Sequence, residues 1–344
     1  MSVLLLEPRA TGGLAAHVAD EVDALTRAGV ETRIAPVQIR ERPSPLRDLR
    51  TIRELAHLTR RERPAAVHAH GLRAGGLAAL TRLHGARLVV TLHNLPVGSR
   101  AVRWTGAALL RLAARRADVI LAVSPDLADA ARHAGARDVR HALIPGPATS
   151  TRPARLSAEG SPLEILVLAR LAPQKDLDTF LDAIAKLRAD GVSVHARIAG
   201  DGPLREHLQE RITAEDLPVE LIGHRGDVPE LLVERPLVVS SARWEGQPVG
   251  LQQALAAGCP IVATDAGGTR WVTGRAASLV PVADPAGLAA AIAQMTDPAV
   301  RARAAQASLE RADELPTREQ MTRQLIDVLM PRPDAETQED PDGN

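Results

Sequence analysis

The sequence predicts an α/β chain of two doubly wound domains, each a parallel sheet wrapped by helices. Three observations predict it. Short apolar runs alternate with segments of helical period along nearly the whole chain. The alternation is interrupted once, by IPGPATSTRPARLSAEGSP (144–162), which is rich in Pro, Ser and Thr and has no apolar period. And 344 residues, 45% of them hydrophobic, exceed what one small core organises.

Each element follows from its own pattern. SVLLLE, ETRIAP, AAVHAH, RLVVTLH and DVILAVS read as buried parallel strands, because continuous apolar runs suit a sheet covered on both faces. A helical segment follows each, the first carrying Leu14, Val18, Val22 and Leu25 on one face. In the second half LEILVLA, VSVHARIAG, VELIGH, PLVVSS, PIVATD and ASLVP repeat the scheme, with helices that include DTFLDAIAKLRADG and PVGLQQALAAG. The expected organisation is an N-terminal domain over 1–147, a linker over 148–162 and a C-terminal domain over 163–315. A helix over 316–330 is expected to pack back on the N-terminal domain, and the polar tail 331–344 to be disordered. Two such sheets would leave a cleft at the carboxyl ends of their strands, where open α/β sheets bind ligands.

Composition excludes several function classes. Acids and bases balance at 42 each, so no global field recruits nucleic acid or a membrane. Tyrosine is absent and Phe180 is the only phenylalanine, which argues against a base-stacking platform. MSVLLLEPRA carries no basic lead and too short an apolar run for a signal peptide or a membrane span, which points to a cytoplasmic protein. Cys259 is the only cysteine and reads as packing. Lysine occurs only at 175 and 186 in an otherwise arginine-based chain, so each lysine asks for a reason.

The candidate chemistry sits at strand ends. Gly12 and Gly13 fall where the first strand turns into a helix, a place where backbone N–H groups meet an anion or where a tight turn is all that is needed. No G-x-G-x-x-G accompanies them, which disfavours a NAD-dependent oxidoreductase. His68 and His70 share one side of a strand, and with His93 they form either a three-imidazole metal site or, more simply, hydrogen-bonded strand-end histidines. His93, followed by Asn94 and Pro96, is the better placed to touch a ligand. Arg170 and Lys175 stand around a strand-to-helix loop, two cations suited to a phosphate or to solvent. For the turn Gly200, Asp201, Gly202, Pro203, structure alone is a sufficient explanation. In SARWEGQPVGLQQALAAG, Glu245 precedes a turn shaped by Gly246, Gln247 and Pro248, and Gln253 lies about one and a half turns into the helix that follows. An acid at the helix start and an amide further along suit an elongated ligand with a sugar, a diphosphate and a ribose.

TGG, VTLH, ARLAPQK, AGDGPL and above all SARWEGQPVGLQQALAAGCPIVATDAGG together resemble the GT-B glycosyltransferases of family 4, over nearly the whole chain to about residue 330. The resemblance implies a GT-B fold of two Rossmann-like domains and a retaining, metal-independent hexosyltransferase using a UDP- or GDP-linked sugar. It implies that Arg170, Lys175 and N–H groups at Gly12 and Gly13 hold the donor diphosphate. Glu245, Gly246, Gln247 and Gln253 would hold the donor sugar and ribose, and His93 would contact the sugar or its phosphate, Glu245 and His93 being the catalytic pair. The family motif has a glutamate where this chain has Gln253, and an amide replaces only part of a carboxylate's acceptance.

The partners implied are a nucleotide-diphosphate sugar and an acceptor of unknown identity, often lipid-linked or part of an envelope glycan in this family, with no metal or other cofactor and no nucleic acid. Ile39–Pro64 holds eight arginines against four acids, which reads either as a solvated helix face or as a peripheral contact with the inner face of a membrane. Two alternatives stand beside the transferase: a non-catalytic nucleotide-sugar or glycan binder of the same fold, and a metal hydrolase built on His68, His70 and His93.

Overall fold

The computed structural model describes residues 2–7, 13–39, 44–95, 99–146 and 161–330, the side chains of 14–16 excepted. Gly12, most of the expected linker and the 331–344 tail lie outside the described residues. The chain divides into two compact units, Met1–Ile144 with Thr317–Asn344, and Pro145–Pro316.

The first unit runs β1 (Ser2–Leu6), α1 (Gly13–Arg27), β2 (Glu31–Ile34), α2 (Pro45–Glu62), β3 (Ala66–His70), α3 (Leu72–Leu80), β4 (Arg87–Leu92), α4 (Arg100–Arg116), β5 (Val119–Ala122), α5 (Pro125–His133) and β6 (Val139–His141). Its sheet is parallel throughout, in the order β2-β1-β3-β4-β5-β6. Strand order reverses direction between β1 and β3, so a crevice opens beyond their carboxyl ends, where His68 and His70 stand. The central strands are buried along almost their whole length, as their unbroken apolar runs require.

The second unit runs β7 (Leu163–Leu168), α6 (Leu177–Ala189), β8 (Val194–Ala199), α7 (Arg205–Ala214), β9 (Val219–Gly223), α8 (Val228–Leu231), β10 (Leu237–Ser240), α9 (Val249–Ala257), β11 (Ile261–Thr264), α10 (Thr269–Thr273), β12 (Ala277–Val280), α11 (Pro285–Gln294) and α12 (Pro298–Asp313). Its parallel sheet is ordered β12-β11-β10-β7-β8-β9, with the reversal between β7 and β10. Phe180, fully buried, anchors α6 against this sheet among Ile165, Val167, Ile198 and Leu208. Cys259 is buried here as well, and burial pushes its thiol up to about 12, which leaves no thiolate at neutral pH.

The last helix, α13 (Arg318–Leu329), belongs to the first unit and packs on α1, β3 and β4. Its start is written in the sequence: Thr317 and Gln320 form a reciprocal capping box. Polar contacts then fix its register. Gln324 accepts from the Leu143 N–H at 2.9 Å and donates to the His141 carbonyl at 2.7 Å, while Arg318 pairs with Asp20 and Asp23 on α1.

Candidate functional site

In the second unit the residues of interest lie at the reversal point. The β7 strand delivers Ala169 and Arg170, a short 3₁₀ turn (Pro173–Lys175) presents Lys175, and β10 leads into Arg243, Trp244 and Glu245. These loops are 70 residues apart in sequence and are tied together by backbone and side chain. Arg243 N–H donates to the Gln174 carbonyl at 2.9 Å, Gln174 Nε2 donates to the Trp244 carbonyl at 2.8 Å, and Ser241 Oγ donates to the Lys175 carbonyl at 3.0 Å. Lys175 Nζ meets Glu245 Oε1 directly, an ion pair in which the carboxylate is buried and the ammonium half-buried. The retained lysine thus has a partner that the sequence alone did not assign to it.

The backbone around the pair is held without slack. Asp176 takes a left-handed conformation, φ +46°, and its carboxylate is bound by Arg243 at 3.1 Å and by the Thr179 hydroxyl at 2.8 Å. Gly200 and Gly202 support the other side of the loop. A Cβ at Gly200 would stand 1.9 Å from the Ala169 carbonyl oxygen, and one at Gly202 2.4 Å from that of Leu171. Only glycine admits that approach. The bond from Leu171 N–H to the Asp201 carbonyl, 3.0 Å, then fixes exposed Arg170 on a rigid support. Gly267 packs on the Glu245 carbonyl, which accepts from Gly268 N–H at 2.8 Å.

Gly246 and Gln247 form the half-open turn into α9, whose first turn has no side-chain cap. With no side-chain cap at Pro248, the start of α9 and the positive end of its macrodipole suit an anion. Of the paired glutamines, Gln252 is buried and Gln253 is half-open, so of the two only Gln253 is open to solvent.

In the first unit the structure assembles something the sequence reading missed. His17 and Glu21, one turn apart on α1, join His68, His70 and His93, and the signal for it was only a His-x-x-x-Glu spacing opposite the HAH strand. Glu21 is 2% exposed, with Oε1 2.9 Å from His17 Nε2 and Oε2 3.1 Å from His70 Nε2 and 3.3 Å from His68 Nδ1. His68 Nε2 is 2.7 Å from the Thr91 hydroxyl, and His70 Nδ1 is 3.3 Å from His93 Nε2. Burial raises the Glu21 carboxyl, but the rings of His70, His68 and His17 outweigh it and hold the group well below the usual carboxylate range. Burial pushes His70 down to about 4 and lowers His93 too, whereas the bond to Glu21 outweighs burial at His17 and raises it.

The three-imidazole set of His68, His70 and His93 is corrected by this geometry: the residues whose ligand atoms all come within 4.8 Å of one another are His17, Glu21 and His70. The carboxylate comes from α1, one turn from His17 and far in sequence from His68 and His70. Gly13 opens α1.

Comparison with known proteins identifies the family and the fold. The "Glycosyl transferase 4-like domain" profile matches residues 2–147 and the "Glycosyl transferases group 1" profile matches residues 162–297. The chain is 29% identical over 241 residues to the proposed colanic acid biosynthesis glycosyltransferase WcaL of Salmonella typhimurium, covering 66% of this chain and 59% of WcaL. It is 33% identical over 107 residues to a GDP-mannose-dependent phosphatidylinositol dimannoside mannosyltransferase of Mycobacterium tuberculosis, covering 30% of this chain and 28% of that protein. The chain therefore spans less than two thirds of the length of either relative. Among solved structures, Anabaena HepE in complex with UDP-glucose superposes with a TM-score of 0.74 at 19% identity, over 96% of this chain and 99% of HepE. At that identity the likeness establishes the GT-B fold.

Proposed function

The chain belongs to the group 1 glycosyltransferases, and from that premise we propose that it is a retaining hexosyltransferase, metal-independent, working from a UDP- or GDP-linked sugar. The observation that carries the proposal is the Lys175–Glu245 pair at the strand reversal of the second unit, beside exposed Arg170 and the uncapped start of α9. Cations and helix N–H groups at one place are what a leaving diphosphate needs, because negative charge grows on it as the glycosidic bond breaks. With that charge met by protein groups, a metal is not required.

In the proposed reaction the bond from the anomeric carbon to the phosphate oxygen breaks and a bond to an acceptor hydroxyl oxygen forms on the same face. The acceptor proton passes to the departing phosphate. Lys175 and Arg170 hold the diphosphate, with N–H groups at Gly12 and Gly13 as the first unit's expected share. Glu245 exchanges its ammonium partner for sugar hydroxyls, and Gly246 and Gln247 line the same turn. Gln253 takes the ribose, and His93 is the first unit's contact to the sugar. Two names support the choice of donor: HepE was solved with UDP-glucose, and the mycobacterial relative depends on GDP-mannose.

The acceptor is proposed to be an envelope or lipid-linked glycan, reached from the cytoplasm. Among the described residues no helix is long and apolar enough to cross a membrane. Peripheral contact is proposed for α2, where Leu46 and Leu49 are exposed between Arg47, Arg50 and Arg53. Cosedimentation with anionic vesicles that is lost in Leu46→Glu checks it. A donor-site test is direct: UDP or GDP should raise the melting temperature of the wild type, and Lys175→Ala should lose more of that shift than Arg225→Ala.

A further inference from the structure

The buried cluster around Glu21 has no role in the transfer proposed above, and its polar atoms do not satisfy one another. Glu21 Oε2 stands 3.1 Å from His70 Nε2 and 3.3 Å from His68 Nδ1, yet neither contact is aligned as a hydrogen bond. All three atoms are buried and have no hydrogen-bond partner among the described residues. A buried carboxylate oxygen and two buried ring nitrogens left in this way cost folding free energy and call for a partner.

The donor set is that of a metal. His17 and Glu21, one turn apart on α1, and His70, the last residue of β3, each offer a ligand atom, and these atoms all lie within 4.8 Å of one another. Two ligands of a tetrahedral zinc ion, each about 2.0 to 2.1 Å from the metal, sit about 3.3 Å apart. The pairs here, 2.9 Å from His17 Nε2 to Glu21 Oε1 and 3.1 Å from His70 Nε2 to Oε2, lie close to that separation. Two imidazoles and a carboxylate suit zinc, whereas calcium and magnesium prefer oxygen alone. His68 Nδ1, against the same Oε2, brings a fourth donor.

The outer contacts agree. With a metal on its facing nitrogen, His70 carries its hydrogen on Nδ1, 3.3 Å from His93 Nε2, and His68 carries its hydrogen on Nε2, 2.7 Å from the Thr91 hydroxyl. Rings that donate from the far side are the usual setting of histidine ligands.

We propose that His17, Glu21 and His70, with His68 as the fourth donor, form a structural zinc site that clips α1 to β3. The ion takes no part in the transfer: all its ligands belong to the first unit, whereas Lys175 and Arg170, which meet the diphosphate charge in the proposed reaction, belong to the second. The inference is independent of the donor reading and stands whether or not a nucleotide binds.

Elemental analysis of the full chain, as purified and after refolding with zinc sulfate and gel filtration, measures it. One zinc ion per chain is expected. A chelator should then lower the melting temperature by about 5 °C or more and added zinc should restore it, because binding to the folded state alone stabilises that state. Glu21→Gln and His17→Gln should each weaken zinc binding at least about tenfold. His207→Ala, which removes an exposed histidine beside Asp178, should retain it. Zinc absent from the refolded wild type, or retained equally by Glu21→Gln and His17→Gln, overturns the site. Where a variant fails to fold, the imidazole nitrogen-15 spectrum of the wild type decides: zinc should move the signals of His17, His68 and His70, and unmoved signals overturn the site.

Discussion

Replacing Lys175 with alanine separates the structural from the binding role of the pair it forms. Glu245 is 7% exposed, and its carboxylate would be left without its cation. Stranding a buried charge costs about 3 to 5 kcal/mol, and the half-open position of Lys175 admits water that lowers this to about 2 kcal/mol. For a two-domain chain that is a fall of roughly 4 °C in the melting temperature of the second unit. Removing the carboxylate as well should restore much of it, so Lys175→Ala/Glu245→Ala should be more stable than Lys175→Ala alone. Binding behaves differently. The lysine is expected to contribute a charge-assisted bond to phosphate, and its loss should weaken both nucleoside diphosphate and nucleotide sugar by about 10- to 100-fold. Glu245→Gln should weaken only the sugar conjugate. Calorimetric titration of the three variants with UDP, GDP, UDP-glucose and GDP-mannose checks this. If Lys175→Ala bound the diphosphates as the wild type does, the phosphate role would be refuted. If the double variant were less stable than either single one, the account of the ion pair would fail.

Three further outcomes are expected. Gln253→Glu should tighten nucleotide binding about tenfold, since a carboxylate accepts from both ribose hydroxyls where the amide accepts from one, and a titration showing weaker binding would place the ribose elsewhere. Gly200→Ala should destabilise the second unit by about 3 kcal/mol, because its Cβ would stand 1.9 Å from the Ala169 carbonyl oxygen; a melting temperature unchanged from wild type would contradict the packing. Burial holds His70 and His141 at about 4, below the ordinary 6.5, so between these values the unfolded chain binds more protons than the folded one. Stability should therefore fall as pH drops from 6.5 toward 4, and His70→Gln should flatten that slope in a series of thermal melts.

The strands were legible in the sequence because parallel sheets bury both faces, and runs such as RLVVTL admit few other readings. The exceptions are the two edge strands of the first sheet: β6, three half-exposed residues, VRH, is absent from the sequence reading, and β2, read as buried, is largely exposed because an edge strand demands no apolar run. The donor-side loops were legible as positions, since Lys175 stood out in an arginine-rich chain and Glu245 led a glycine-shaped turn. Their pairing was not, because it depends on the reversal of strand order between β7 and β10, which no local pattern encodes. The need for glycine at 200 and 202 looked like turn chemistry and is in fact contact with the carbonyls of 169 and 171. Least legible was Glu21. It reads as one more charge on an amphipathic helix, and only the placement of α1 beside β3 turns it into the centre of a buried imidazole cluster.

The central claim is a donor site built on Lys175, Glu245 and the start of α9 in the second unit, and nucleotide binding tests it most directly. Thermal shift of the wild type against UDP, GDP, ADP and their common sugar conjugates should show one base series stabilising the protein, with Lys175→Ala insensitive to it. Stabilisation by none of these nucleotides, or an equal shift in wild type and Lys175→Ala, would contradict the account.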